Sequence, residues 1–466
     1  MRADDLHWLE IAELSRLIQA RHVSPVEVTR TLLERIGQID SRLHAFAFVA
    51  SDAALEQARQ AEARLARRER LGPLDGVPLA VKDLCWTQGV PTGAGMPLRR
   101  GWLAPSDATV VARLRAAGAV LLGKLQMTEG AFSDHHPAVP VPVNPWHPDH
   151  WSGVSSSGSG VATAAGLCFG AIGSDTGGSI RFPSIANGVT GLKPTWGRVS
   201  RYGVFDLAPT LDHVGPMCRS AADCGLMLGA IAGADPRDPT ALEAPVPDYL
   251  AGSDRSLAGL TVGIDETWVS QGVEAPVSEA LAQAASVLRR SGASLEPIVF
   301  PEVDDALADW VSLCSHEAAV AHAETFPSRR ADYGPGLARF LDAGLALPQD
   351  TLQQARQRRR VFASRVDAVF GQVDLLLIPG QFVAAPTLAW VAALGQDPVR
   401  RGALRRFTAP FDLSGHPTIT LPAGFTPAGL PVAVQLVAGR LREDLLVRAG
   451  RVFQHGTDWH RRHPAV

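Results

Sequence analysis

Three lysines are the most chemically distinctive side chains of this sequence. The chain of 466 residues contains 44 lysines and arginines, and only three of them are lysine: Lys82, Lys124 and Lys193. Arginine stays protonated near neutral pH, whereas a lysine with a lowered pKa can act as a base. All three lysines fall within 112 residues of one another. We therefore expect the chemistry of this protein to lie between residues 82 and 193.

The serine- and glycine-rich stretch SGVSSSGSGVATAAG, residues 152–166, lies inside this region. A flexible linker would be polar on both sides, but this stretch leads into VATAAGLCFGAIG, which favours a tightly packed helix followed by a buried strand. A dinucleotide-binding loop is a second alternative, with Thr163 in place of the third glycine of G-x-G-x-x-G and Asp175 lying 17 residues after Gly158. Both alternatives fit the sequence poorly, and a Walker A ending is absent.

A second glycine-rich loop, GSDTGGSIRFP at residues 173–183, follows a predicted strand. Glycine permits the tight backbone path that turns successive N–H groups inward, so these amides could bind a developing oxyanion. The candidate oxyanion residues are Thr176, Gly177, Gly178 and Ser179. Ser179 is also the candidate nucleophile. A serine–glycine turn that only caps a helix is the alternative from spacing alone.

Composition limits the classes of partner. The net charge of −3 makes nucleic acid and anionic membrane poor candidates, and the longest apolar window, residues 161–173, is too short to span a bilayer. The N-terminal residues MRADDLHWLEIAEL do not resemble a signal peptide, so we predict a soluble, cytoplasmic protein.

The five cysteines contain no C-x-x-C pair and are expected to be free thiols. The four histidines of residues 135–151 lack a metal-ligand pattern, so we predict no metal and no cofactor.

The order of apolar patterns predicts an α/β fold, with a mixed central sheet flanked by helices on both faces. Residues 1–70 read as helical, with Ser24 as the N-cap of the second helix. Strands are then predicted at 76–84 and 119–124, with a helix at 107–118 between them. Later helices are predicted around 276–292, 303–324 and 348–370, with strands at TVGI, LLLIP, PTITLPAG and PVAVQLVAG.

Three segments together resemble the amidase signature family: GVPLAVKD (76–83), SGVSSSGS (152–159) and GSDTGGSIRFPSIANGVTGLKPTWGRVSRYGV (173–204). The resemblance covers most of residues 9–230 and returns at 411–439. It implies a triad in which Lys82 is the base, Ser155 is the bridging serine beside a cis peptide bond, and Ser179 forms the acyl-enzyme. It also implies that Thr176, Gly177, Gly178 and the Ser179 amide line an oxyanion hole.

The serine motif departs from the family pattern, because Val154 and Ser157 stand where glycine is usual. Ser155 lies 24 positions before Ser179, as the family requires, but three consecutive serines leave open whether Ser155 or Ser156 takes the cis bond. The apolar surroundings of Lys82 should lower its pKa by burial. Asp83 should point to the opposite face of the strand.

Four further charged residues are predicted to be structural: Asp175 and Arg181, which we expect to pair, and Lys124 and Lys193. The expected organisation is one amidase domain over residues 1–466. Within it we distinguish an N-terminal helical segment (1–70), a catalytic core (71–230), a variable substrate-shaping insertion (231–400), and closing strands and a helix (401–466).

The resemblance implies an amidase that hydrolyses a small or aryl amide, with carbamates and esters as further candidates. The alternative is the glutamine-hydrolysing chain of a tRNA-dependent amidotransferase, although no glutamine-binding pattern is recognisable at 300–400. A catalytically silent binding protein is disfavoured, because all three catalytic residue types are present. The expected partner is a small-molecule amide, with no nucleic acid and no membrane, and a homodimer is the one assembly kept open.

Overall fold

The computed structural model describes residues 3–394 and 397–466. In these residues a single mixed sheet holds eleven strands. In chain order they are β1 (Phe46–Val49), β2 (Pro78–Lys82), β3 (Val120–Leu125), β4 (Gly170–Asp175), β5 (Thr190–Lys193), β6 (His213–Cys218), β7 (Thr261–Ile264), β8 (Ser294–Pro297), β9 (Leu375–Pro379), β10 (Thr418–Phe425) and β11 (Pro431–Ala438).

Helices flank this sheet along the described chain. In order they are α1 (Ile11–Gln19), α2 (Pro25–Leu43), α3 (Ser51–Arg67), α4 (Thr109–Ala116), α5 (Ser157–Ala164), α6 (Arg181–Asn187), α7 (Ala221–Ile231), α8 (Glu266–Ser270), α9 (Ala275–Arg290), α10 (Asp304–Ala321), α11 (Pro335–Leu345), α12 (Gln349–Val369), α13 (Leu388–Leu394), α14 (Pro398–Arg405), α15 (Ala409–Leu413) and α16 (Glu443–His455). The predicted α/β class and single mixed sheet are confirmed.

The strand order across the sheet is β1-β3-β2-β4-β6-β5-β10-β11-β9-β7-β8. β2 runs parallel to both β3 and β4, and every residue of these three strands is buried. Parallel strands end at the same edge of a sheet. The last residue of β2 is Lys82 and the last residue of β4 is Asp175. The sheet therefore brings the lysine and the second glycine-rich loop to one edge.

Small residues let the backbone pack tightly behind this edge. All eight residues of α5, SGSGVATA, are buried, so the serine- and glycine-rich stretch is part of the core and the linker interpretation is wrong. Its glycine at 158 donates its N–H to Gln126 O at 2.9 Å. A Cβ added at Gly158 would lie closer than 3.0 Å to Ala45 O and to backbone atoms of Gln126.

Two expectations for the ends of the domain need correction. The N-terminal 70 residues are not wholly helical, because β1 pairs antiparallel with β3 at one edge of the sheet. The segment 231–400, predicted as a substrate-shaping insertion, also contributes β7, β8 and β9 to the sheet. These three strands extend the sheet beyond β11. These strands are short, and their pairing partners lie far away in the sequence.

Other local predictions are confirmed. Ser24 caps α2, with its hydroxyl accepting hydrogen bonds from the amides of Val26 and Glu27 at 3.0 and 3.2 Å. All five cysteines are buried and free. Among the helices of residues 3–394 and 397–466, none is both long and apolar enough to cross a membrane.

The close packing of α5 gives a stability prediction. We expect Gly158→Ala to lower the free energy of unfolding by about 1–3 kcal/mol, because the added methyl meets rigid backbone rather than a movable side chain. Gly402→Ala on α14 is the matched control, since a Cβ there has nothing within 4 Å. The control should be neutral or stabilise by up to about 1 kcal/mol through helix propensity. Thermal unfolding of both variants measures the effect, and equal melting temperatures would contradict it.

Candidate active site

The amine of Lys82 lies at the centre of a cluster of serine hydroxyls. The side chain is fully buried, and its Nζ lies 2.6 Å from Ser155 Oγ, 2.9 Å from Ser156 Oγ and 2.9 Å from Ser174 Oγ. Ser155 and Ser156 come from the loop before α5, and Ser174 comes from β4. The predicted lysine and the predicted serine run therefore meet inside the protein.

The contacts of the two adjacent serines differ. The peptide bond between Val154 and Ser155 is cis. Ser156 Oγ donates to Ser174 O at 3.1 Å and accepts from the amide of Ser174 at 3.2 Å as well as from Lys82. Its hydrogen and both its lone pairs are thus used. The Ser155 hydroxyl has only the Lys82 contact within the described chain, which leaves its hydrogen available.

Burial lowers the pKa of Lys82 to about 7, although electrostatic interactions with Cys85, Asp175 and Asp212 act to raise it. A neutral amine has two N–H donors and one lone pair, so it cannot donate to three hydroxyls at once. One of the three must donate to the amine. Because the hydrogen of Ser156 is committed to a carbonyl, the donor is Ser155 or Ser174.

The second glycine-rich loop folds around the carboxylate of Asp175. This carboxylate accepts hydrogen bonds from the amides of Gly178 at 2.6 Å and Ile180 at 2.9 Å, which holds the loop in a tight turn. Ser179 lies between these two residues and is partly exposed. Its carbonyl accepts a hydrogen bond from the Ser156 amide at 3.3 Å. The loop thus places Ser179 against the serine run and toward solvent.

The four predicted oxyanion residues are not equivalent in the structure. The Gly178 amide is taken by Asp175. The amides of Gly177 and Ser179 have no hydrogen-bond acceptor among the described residues. The Thr176 hydroxyl donates to Asp212 at 2.6 Å, and its carbonyl accepts from Trp310. The Thr176 amide likewise has no acceptor among the described residues, so Thr176, Gly177 and Ser179 are candidate oxyanion donors, whereas the Gly178 amide is bound to Asp175.

A buried ion-pair network anchors the second glycine-rich loop. Arg181 pairs with Asp175 at 2.8 Å, as predicted, and also with Asp412 of α15 at 2.6 Å. Although burial alone would raise it, the Arg181 guanidinium holds the pKa of Asp175 well below its usual range. Burial raises the pKa of Asp412 well above its usual range, an effect that Arg181 only partly offsets. Sequence reasoning missed Asp412, although it lies in segment 411–439, because its pairing with Arg181 is a contact between residues far apart in the sequence.

The other two lysines lie apart from the serines. Lys124 donates to Cys85 O at 2.6 Å and lies 3.4 Å from Asp83, the residue that follows Lys82 at the end of β2. Lys193 donates to His416 O at 2.6 Å. These contacts are the structural ones predicted for both lysines. The dinucleotide interpretation also fails, because Asp175 is committed to Arg181 and α5 is buried along its whole length.

An apolar cluster covers one side of the second glycine-rich loop. Phe182 packs against Trp151 of the proline-rich loop, with ring centroids 5.6 Å apart. The cluster brings segment 135–151 and the 305–400 region to the same place. Its other buried members are Ile185, Val383, Leu394, Leu404 and Ala433. In the proline-rich loop, His135 lies 3.1 Å from the Ser157 hydroxyl and His150 lies 2.7 Å from Ala385 O.

The site thus holds a buried lysine among serines, beside a serine on a glycine-rich turn, on an α/β scaffold. The chain belongs to the amidase family: residues 27–447 match the family model described as Amidase. It is 48% identical over 464 residues to the protein named "Putative amidase AmiD" of Mycobacterium tuberculosis (strain ATCC 25618 / H37Rv), covering 99% of this chain and 97% of that one. The expected family resemblance is confirmed.

Two further relatives show how wide this family is. The chain is 37% identical over 488 residues to one of the subunits of the glutamyl-tRNA(Gln) amidotransferase of Chloroflexus aggregans (strain MD-66 / DSM 9485), covering 99% of each chain. The crystal structure of the native peptide amidase from Stenotrophomonas maltophilia superposes with a TM-score of 0.82 at 31% identity, covering 98% of each chain. The fold is therefore shared by proteins whose names give them different activities.

The unequal contacts of the two serines lead to a stability prediction. Ser156→Ala removes the two hydrogen bonds to the Ser174 backbone and should lower the free energy of unfolding by about 1–3 kcal/mol. Ser155→Ala removes only a contact with the Lys82 amine and should cost clearly less. Each variant deletes one buried hydroxyl, so they control for each other. Thermal unfolding in parallel is the measurement, and a larger loss in Ser155→Ala would show that the roles are reversed.

Proposed function

We propose that this protein is an amidase that hydrolyses the carbon–nitrogen bond of a small or aryl amide through Ser179, Ser155 and Lys82. Carbamates and esters are further candidate substrates. The observation that carries the proposal is the buried Lys82 amine, hydrogen-bonded to Ser155 and with a pKa near neutrality. An unperturbed lysine, with a pKa of about 10.4, would be almost entirely protonated at pH 7 and could not serve as the base.

The geometry supports the following steps. Neutral Lys82 accepts the proton of Ser155 Oγ, which takes the proton of Ser179 Oγ as that oxygen attacks the substrate carbonyl. The amides of Gly177 and Ser179 donate to the oxyanion of the tetrahedral intermediate. The C–N bond then breaks, and the proton returns along the same two groups to the leaving nitrogen. Water attacks the Ser179 ester, releases the acid and regenerates the hydroxyl.

A nucleophile test separates this proposal from a catalytically silent binding protein. A panel of amides, esters and carbamates is assayed with the wild type and with Ser179→Ala, and mass spectrometry monitors the wild type for an acyl adduct. We expect the adduct on the peptide containing Ser179 and a loss of turnover on the order of a million-fold in the variant. Undiminished turnover in Ser179→Ala would rule out the proposed mechanism.

The pKa of Lys82 predicts the pH dependence. Below pH 7 the amine is protonated and cannot accept a proton, so kcat/KM should rise with pH and reach half its plateau near pH 7. Burial also raises the pKa of Asp212 to about 7, and its negative charge raises the pKa of Lys82. Asp212→Asn should therefore keep the rise and move its midpoint to lower pH. A flat profile, or a rise lost in Asp212→Asn, would exclude Lys82 as the titrating base.

The second candidate function is glutamine hydrolysis within an amidotransferase complex. The observation that favours it is the match to a component of a glutamyl-tRNA(Gln) amidotransferase along 99% of both chains. The purified chain is assayed for ammonia release from glutamine with and without the other components of such a complex. Release only in the complex would favour this candidate, whereas turnover of simple amides by the isolated chain favours the amidase. Cytoplasmic location and a homodimer stay predictions.

A further inference from the structure

A cavity of about 580 Å³ lies beside the end of α15, where α10 and α12 meet the loops that follow β5 and β11. Small-molecule sites typically have volumes of about 300–1,000 Å³, so this cavity is large enough for a bound molecule. Of the described residues that line it, none belongs to the lysine–serine cluster. We call it the arginine cavity, because four arginines line it: Arg356, Arg359, Arg360 and Arg440.

One face of α12 supplies three of the four arginines. Arg356, Arg359 and Arg360 line the cavity at the spacing i, i+3 and i+4, which places them on one side of a helix. Arg358, which lies between them in the sequence, pairs with Asp309 of α10 instead. The arginine run at 358–360 is thus divided between an ion pair and the cavity.

Carboxylates of the protein do not neutralise the three α12 arginines of the cavity. Among the residues that the structure describes, none of the three forms an ion pair. Glu317 is the one carboxylate in the described lining, and its two oxygens accept hydrogen bonds from the amide and hydroxyl of Thr210 at 2.8 and 2.6 Å. Arg440 lies 3.5 Å from Asp367. The cavity therefore retains an excess of positive charge.

These three arginines also keep N–H groups that the protein does not use. Arg356 is exposed and has no hydrogen-bond acceptor within the described chain. Arg360 is exposed as well and donates only to the side chain of Gln357. Arg359 donates once from each of its three nitrogens, which leaves two of its five N–H groups unused. Guanidinium groups in this state suit the oxygens of a carboxylate or a phosphate, which they bind through paired hydrogen bonds.

Apolar side chains form much of the remaining wall. They come from five separate segments of the chain and are Trp196, Leu242, Leu313, Leu413 and Leu441. An inorganic anion would leave this surface in contact with water, whereas an apolar group in the cavity would cover it. The lining therefore favours a ligand that combines an anionic group with an apolar body.

We propose that the arginine cavity binds a small organic anion, in which an apolar body of about two fused rings carries a carboxylate or a phosphate. The anionic group contacts Arg356, Arg359 and Arg360, and the apolar body lies against the leucines and Trp196. The site is distinct from the lysine–serine cluster and takes no part in bond breaking. This inference therefore goes beyond the proposed function and does not depend on it.

The test measures binding to the full chain by isothermal titration calorimetry with four probes. These are 2-naphthoate, 2-naphthyl phosphate, the neutral 2-naphthylmethanol and inorganic phosphate. We expect one-to-one binding of at least one aromatic anion, with a Kd at least 10-fold lower than that of the neutral alcohol and of inorganic phosphate. Comparison of the two aromatic anions shows which anionic group is preferred. Added salt should weaken their binding, because it screens the exposed arginines.

Variants locate the bound anion. The double variant Arg356→Gln/Arg360→Gln should raise the Kd of the preferred anion by about 10- to 100-fold, because it removes charged hydrogen bonds. Arg356→Lys/Arg360→Lys should keep part of the affinity. The matched control is Arg339→Gln/Arg365→Gln, which removes the same charge from two exposed arginines of α11 and α12 that do not line the cavity. Its Kd should equal that of the wild type, and thermal unfolding without probe checks that each variant is folded.

Three results would overturn the inference. The first is that no probe binds, and the second is that the neutral alcohol or inorganic phosphate binds as tightly as the aromatic anions. The third is a Kd that Arg356→Gln/Arg360→Gln leaves unchanged, which would place the anion elsewhere, including at Ser179. None of these measurements uses turnover or the acyl adduct on Ser179, so failure of this inference is distinguishable from failure of the proposed function.

Discussion

The burial of one lysine amine is the interaction on which the rest of the site depends. An ammonium group kept charged inside a protein would lose several kcal/mol of solvation, and Lys82 avoids this by a pKa of about 7. Serine hydroxyls replace the lost water contacts. A carboxylate at the same distance would have kept the proton on the amine. Neutral hydroxyl partners are what make a buried lysine usable as a base.

The second glycine-rich loop, residues 173–183, depends instead on a buried group that stays charged. Asp175 organises the turn that holds Ser179, because its two carboxylate oxygens accept hydrogen bonds from the amides of Gly178 and Ile180. Its negative charge also acts to raise the pKa of Lys82. The ion pair with Arg181 reconciles the two roles, because the guanidinium stabilises the charge of Asp175 and weakens its field at the lysine. The charge of Asp175 at the end of β4 therefore affects the pKa of Lys82 at the end of β2.

The sequence identified those parts of the site that lie within contiguous motifs. The roles expected of Lys82, Ser155 and Ser179 came from the resemblance of contiguous segments to the amidase signature family, and the strand–helix alternation was enough for the fold class. Asp412 could not be found, since its role exists only once β10 brings α15 against the second glycine-rich loop. The hydrogen bond from the Gly178 amide to Asp175 could not be predicted either, because it depends on the turn around Asp175 rather than on composition.

Residues at the ends of the strands and residues on the surrounding helices are held in place in different ways. Lys82 lies at the end of β2, Ser155 lies in the loop before α5, and Ser179 follows the end of β4. The parallel register of β2 and β4 leaves the ends of these strands little freedom of position. Trp310 comes from α10, and it contacts the second glycine-rich loop at Thr176 and Gly177. Helices attached in this way can change their side chains without moving the lysine or the serines. Proteins of one family that are named for different activities can therefore share this sheet while they differ in the side chains of the helices that surround it.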